Sequence, residues 1–317
     1  MSDKKTGEKI NYMGGQAIIE GVMMRGQNVY AMAVRKPDKE IEVIKRDITP
    51  KSKKYPFLKL PIIRGVVAFV DSLVIGVNAL TVSADLALGE QEPDPPGKFE
   101  AFLTRVFGEK LNNIMVGFSV VIAIAFSLGL FFLLPTWLAG FIRLALGGHA
   151  RFLGVVEGLT RLAILIIYMY VISLSKDIKR VFEYHGAEHK TINCYESGDS
   201  LTVDNALAHT RFHKRCGTSF LILVMLVSMV VFFFITTDNY LARFGYRLLL
   251  VPVIAGLSFE LIRWAGRSDS VLVNIISWPG VCLQKLTTKE PDAEQVETAI
   301  AALKEVLENG QPEEKRD

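Results

Sequence analysis

Apolar and polar positions divide the chain into three regimes. Residues 1–61 read as a small, soluble, β-rich segment. Val29–Arg35 and Glu40–Ile48 read as strands, the second with Ile41 and Val43 on one side and Glu40 and Glu42 on the other, and Pro37-Asp38-Lys39 between them predicts a hairpin turn. Ahead of them, Gly14-Gly15 opens an apolar stretch that runs from Gln16 to Gly26 and is fenced by glycines. A basic linker, Lys51–Lys54, leads to Pro56 and Pro61, which punctuate before the next element.

The middle regime carries long apolar runs. Ile114–Leu134 is free of charge and ends at Pro135; about Val155–Leu174 holds Glu157 and Arg161 as i, i+4 partners; Ser219–Ile235 is almost purely apolar; and about Leu248–Ile262 has Glu260 and Arg263 at its end. Each approaches the roughly 20 residues that cross a bilayer. Val271–Leu283, interrupted by Pro279-Gly280, is shorter and reads as interfacial or re-entrant.

Residues 62–88 are helical in pattern, with Arg64, Asp71, Asn78 and Asp85 recurring every seven residues along one line. Two dispositions stay open: an interfacial amphipathic helix with its polar line in water, or a helix inside the bundle facing a wet cavity. The loop Glu90–Gly97 ends it. In the third regime Asp292 can cap a helix whose Val296, Ile300, Leu303 and Leu307 form one apolar stripe, and Gln311–Asp317 reads as a disordered tail.

The pattern therefore predicts a mainly α, polytopic membrane protein with about four transmembrane helices, a small N-terminal β-rich segment and interfacial or amphipathic helices. Its expected divisions are 1–61 (β-rich), 62–88 (amphipathic or re-entrant), 114–286 (membrane bundle, with a His-rich loop at 176–217) and 287–317 (C-terminal helix and tail).

Composition agrees: 50% of residues are hydrophobic, phenylalanine numbers 19, and mean hydropathy is +0.30. A net charge of +3 implies no general attraction to nucleic acid, so the expected partner is the lipid bilayer. Cys194, Cys216 and Cys282 form no CxxC and no disulfide framework, which suits a reducing compartment. The polar N-terminus has no apolar h-region, so no cleaved signal peptide is expected. Lys176, Lys179, Arg180, Lys190, Arg211, Lys214 and Arg215 crowd the loop between the second and third spans, which by the positive-inside rule makes that loop and both termini cytoplasmic in a multi-pass protein of the cell membrane.

Chemistry concentrates in the same loop. Four of the five histidines lie between 185 and 213, as two i, i+4 pairs, His185/His189 and His209/His213. On a helix that spacing puts two imidazoles on one face, near enough to share a metal. Glu188 completes the order His-x-x-Glu-His, the inverted zincin arrangement, in which the acid is a general base. A helix starting at Thr202 or Asp204 would carry the second pair antiparallel to the first. Zn is the expected ion, with Fe or Mn also compatible. Cys216 is open between metal ligand and small packed thiol, and the whole set between a metal site and ordinary surface histidines.

The motifs GGQAIIEGVMMRG, YHGAEHKTINCYE, HTRFHKRCGTSF and WPGVCLQKLTTKEPDAEQVETAIAAL resemble the YqhQ-like bacterial membrane family (domain of unknown function 1385) over roughly 11–307. The resemblance implies a metal-dependent membrane enzyme without an assigned reaction. Its His-rich motifs coincide with His185, Glu188, His189, His209, His213 and Cys216, and its N-terminal motif with Glu20 and Arg25. Glu20 could then join the catalytic Glu188 if the glycine-fenced motif folds over the histidines, or serve a plain turn. Three functions follow: a hydrolase acting on an amphiphilic or membrane-protein substrate, a His-box redox enzyme (which needs about eight histidines), and a membrane scaffold with a structural metal.

Overall fold

The computed structural model describes residues 13–49, 55–89, 111–146, 150–235, 237, 239–265 and 270–309. The basic linker at 51–54, the loop at 90–97 and the tail at 311–317 lie outside them. The protein is mostly helical, with an N-terminal antiparallel sheet and, among the described residues, four helices long and apolar enough to cross a membrane. The four are Ile63–Leu88, Gly117–Ile142, Gly154–Ile172 and Phe244–Ala265; the expected third span, Gly217–Phe233, is a shorter apolar helix.

The chain divides into two compact units, the first formed by Met1–Gly89, Met169–Val224 and Val251–Asp317. Its sheet is a meander, β1 (Gly14–Ile18), β2 (Gly21–Arg25), β3 (Val29–Arg35) and β4 (Ile41–Asp47), each antiparallel to the next. The predicted hairpin is β3–β4, with Arg35 opposite Ile41. The glycine-fenced stretch is itself a hairpin, turned at Ile19-Glu20, where Glu20 takes a φ of 50°.

Both faces of the sheet are covered. On one, Val22, Met24, Val29, Ala31 and Ala33 share a core with α5 (Lys176–Ser197), through Tyr184, Ala187 and Ile192, and with α10 (Ala293–Asn309), through Val296, Ala299 and Leu303. On the other, Ile18, Met23, Tyr30, Met32 and Val34 pack on Ala79, Ile75, Val82 and Leu86 of α1 (Ile63–Leu88). Burying both faces explains why β2 and β3 read as nearly continuous apolar runs, GVMM and VYAMAV, rather than alternating ones. Helix α10 starts as expected: Gln295 N donates to Asp292 Oδ1 (2.8 Å), and Asp292 N donates back to Gln295 Oε1 (3.0 Å), a reciprocal capping box.

The second unit comprises Glu90–Tyr168 and Met225–Leu250. Here α2 (Leu111–Leu128) continues through a π turn, Gly129–Leu133, into α3 (Leu134–Leu146). Pro135 therefore does not end the span. Lacking an N–H, it leaves the carbonyl four residues back without a helical donor, and Arg161 of α4 (Ala150–Ile172) donates its Nε to that Phe131 oxygen at 2.7 Å. Glu157 of α4 is bound by Arg247 of α8 (Tyr240–Ala265), whose Nη1 also donates to Thr136 Oγ1 (3.0 Å). Both guanidiniums lie against the ring of Phe232, at the end of α7 (Gly217–Phe233). The sequence spacing paired Glu157 with Arg161; the structure gives Glu157 an ion pair with Arg247, with Arg161 close enough to feel its charge.

The stretch at 271–283 is not broken. Helix α9 (Val271–Thr287) runs through Pro279, and Gly280 lets it approach Ser219 so closely that a Cβ would stand 2.7 Å from the serine's own Cβ.

Candidate metal site

Helix α5 carries the site because its two faces differ. Tyr184, Ala187 and Ile192 enter the apolar core, while His185, His189, Lys190 and Asn193 face the loop that follows. Ser175 stands at its N-cap position, extended and without a side-chain cap bond, and Gly198, at a φ of 80°, closes its end in the left-handed conformation.

The loop is pinned by its backbone. Lys190 Nζ donates to the carbonyls of Leu207 (2.9 Å) and His209 (2.8 Å), and Asn193 Nδ2 donates to those of Thr210 (2.7 Å) and Phe212 (3.2 Å). His189 Nδ1 lies 2.6 Å from the Arg211 carbonyl oxygen. Because a carbonyl can only accept, Nδ1 carries the proton and Nε2 keeps its lone pair. His185 is fixed likewise: its Nδ1 meets Thr287 O at 2.7 Å, leaving Nε2 at 3.1 Å from Cys216 Sγ.

One atom in each of His185, His189 and Cys216 therefore faces the other two, all within 4.8 Å of one another. His189 Nε2 is buried and has no hydrogen-bond partner among the described residues. Burial also disfavours the charged imidazolium of His189, against the stabilising effect of Cys216 beside it, so the lone pair is retained. Imidazoles held through Nδ1 by a carbonyl with Nε2 turned inward are the usual outer support of a metal centre. Tetrahedral zinc bound to nitrogen and sulfur needs ligand–ligand separations of about 3.3–3.8 Å, within about an ångström of those present. The three residues thus fit a zinc ion, and a thiolate with two imidazoles suits zinc better than manganese.

Glu188 lies beside this set. It is buried, its Oε2 has no hydrogen-bond partner among the described residues, and β1 crosses over it: a Cβ on Gly15 would stand 2.7 Å from the carboxyl carbon. Burial pushes its carboxyl up to about 7, opposed by His185. The N-terminal motif does fold over α5 here, through Gly15. Glu20 itself is held by Arg180 (2.6 Å to Oε2) and the Tyr184 hydroxyl (3.3 Å), and is not among the three clustered residues.

The second histidine pair is arranged differently from the expectation. Thr202 does cap a helix, α6 (Val203–Ala208), accepting from Asn205 N, but the helix stops before His209. Chain 209–216 is irregular: the carbonyls of 209–212 accept from α5 side chains and that of His213 from Gln284, rather than from helical N–H groups. His209 turns to Asp199 (2.8 Å). His213 stays close, its ring centroid 5.7 Å from that of His189, and its Nε2 lies 3.5 Å from Glu196 Oε2. Burial would raise the Glu196 carboxyl, but His213 and Arg215 outweigh it and hold it low.

Gln284 carries no local signature in the chain. Its amide grips His213 at both backbone groups, accepting from N (2.9 Å) and donating to O (2.7 Å), and also donates to Ser219 Oγ. Gln284→Ala should cost about 1–3 kcal/mol, since two backbone groups lose their partner; thermal unfolding in detergent measures it. Gly186 is equally constrained. A Cβ there would overlap the Lys289 carbonyl oxygen, where Lys289 N donates to Phe182 O (2.8 Å). Gly186→Ala is expected to destabilise by about 1–3 kcal/mol through overpacking, and to release Thr287 from His185. An unchanged melting temperature would contradict that close approach.

The family model described as "Protein of unknown function (DUF1385)" matches residues 60–309. The chain belongs to the DUF1385 family. It is 35% identical over 295 residues to the uncharacterized protein YqhQ of Bacillus subtilis (strain 168), covering 93% of this chain and 92% of that one. No solved structure matches significantly. The DUF1385 match takes in every residue of the His/Cys cluster, whereas Gly15 and Glu20 fall before its start.

Proposed function

We propose that this DUF1385 protein is an integral membrane metalloenzyme, a hydrolase that holds one zinc ion at His185, His189 and Cys216 and acts at the cytoplasmic face of the cell membrane. The observation that carries this reading is the buried Nε2 of His189, without a hydrogen-bond partner among the described residues and grouped with His185 and Cys216 while both imidazoles are fixed through Nδ1. A divalent ion bound there supplies Lewis acidity, able to make a water reactive near neutral pH. With three residues holding it, such an ion would keep room for substrate or water. Glu188, next to His189 in the chain and closed off by Gly15, would hold and release the proton at its free Oε2. Cys216 directly precedes an apolar helix, which favours an amphiphilic or membrane-protein substrate. The density of Lys and Arg at 176–215 supports the cytoplasmic orientation of this loop and both termini.

A structural metal in a scaffold is the second reading, favoured by the nearness of His213: if it turned from Glu196 it could fill the fourth position. Metal analysis of detergent-purified protein tests both. The enzyme reading expects about one zinc per chain, unchanged in His213→Ala and in His209→Ala. Loss of zinc in His213→Ala would favour the scaffold, and a metal-free wild type would overturn both.

A further inference from the structure

Helix α1 meets the length and composition of a membrane span. We infer that it does not cross the bilayer but lies along the membrane surface, as a platform between the lipid and the sheet.

Connectivity comes first. Strand residues Val22 and Ala31, α5 residues Tyr184 and Ile192, and α10 residues Val296 and Leu303 share one core. Sheet, α5 and α10 therefore lie on one side of the membrane, and the chain must cross an even number of times between Asp47 and Lys176. Among the described residues of that interval three helices are long and apolar enough to cross: α1, Gly117–Ile142 and Gly154–Ile172. Three is odd, so one of them stays on the surface. Between Ser197 and Ala293 the same rule makes α7 and α8 cross as a pair, although α7 has only 17 residues.

Packing identifies the helix that stays. Along most of its length α1 is fastened to the sheet: Ser72 Oγ accepts from Arg25, Gly76 abuts Gln16, and Ser83 Oγ accepts from Ile19 N at 3.2 Å. An open sheet cannot enter hydrocarbon, where the free N–H and C=O groups of β1 and β4 would have no partner. A helix of about 39 Å pinned to that sheet cannot pass through the bilayer.

The sides of α1 then fall into place. Small residues, Gly65, Gly76, Ala79 and Ser83, face inward. Val70, Leu73, Val74, Val77, Leu80 and Leu88 are 37–64% exposed and form the opposite, apolar side. Arg64, Asp71, Asn78 and Asp85 run along the flank between them. That order is what an in-plane interfacial helix requires: apolar residues toward the acyl chains and a polar line at the water's edge. Its start is at the right level too, because Gly65 packs on Gly256 and Arg64 pairs with Glu260, near the end of α8.

Impermeant maleimide labelling of Lys59→Cys and Asp85→Cys in right-side-out and inside-out membrane vesicles tests the placement, with wild-type protein setting the background from native cysteines. Both positions should label in the same vesicle type and be protected in the other; labelling in opposite types would overturn the inference. Nitroxides at Val70→Cys, Val77→Cys and Leu88→Cys in the full chain read the second part. About equal, shallow depths are expected. Depth rising steadily along the helix would mean a crossing. Full relaxation by a water-soluble paramagnet would mean the apolar side faces water, and spin–spin broadening would mean a second copy covers it; either result would overturn the lipid contact.

Discussion

Cys216→Ser and His189→Ala are each expected to reduce bound zinc from about one ion per chain to background after dialysis against a mild chelator. Loss of an outer partner alone lowers metal affinity about 10–100-fold, and these variants remove a ligand itself. Glu188→Gln separates roles within the site: it should keep the zinc, because its carboxylate lies against Gly15 and is not one of the clustered His185, His189 and Cys216 groups. Zinc retained in Cys216→Ser, or lost in Glu188→Gln, would require a different ligand set.

The largest effect on stability is expected in the second unit, with Glu157→Ala. Among the described residues of that unit, Glu157, Arg161 and Arg247 are the buried charged side chains, at 1–4% exposure. Removing the carboxylate leaves two guanidiniums in apolar surroundings, and breaking a buried pair in this way costs about 3–5 kcal/mol. Adding Arg247→Met should recover part of the loss, since it removes one of the two cations. Thermal unfolding in detergent gives both values. A single variant within about half a kcal/mol of wild type would mean that the triad is well solvated.

Local signals in the sequence were accurate where the structure answers to local causes. Alternation and a Pro-Asp-Lys turn located the β3–β4 hairpin, Asp292 and Thr202 marked helix starts, and one apolar stripe marked the buried side of α10. Failures came where a distant partner decides the conformation. His209 and His213 have helical spacing, yet Lys190, Asn193 and His189 claim the carbonyls of 207–212 and the loop stays irregular. Pro135 and Pro279 read as stops, but Arg161 takes up the carbonyl freed by the first, and close packing of Gly280 on Ser219 holds the helix around the second. Gln284 and Arg247 were invisible because their partners lie 71 and 90 residues away. Within the site, the first histidine pair was legible from its spacing. The tautomers that leave both Nε2 atoms with a lone pair come from the carbonyls of Thr287 and Arg211, which no local pattern announces.

The His185 carbonyl partner has a consequence for biogenesis. His185 and His189 leave the ribosome well before Cys216, and Thr287 and Gln284 follow only after α8 has been made. Until α9 is made, His185 lacks the carbonyl that fixes its ring and His213 lacks the amide that holds its backbone, and one face of the sheet stays open until α10 covers it. The geometry that brings His185, His189 and Cys216 together therefore closes late, after the membrane helices between them and α9 have been inserted.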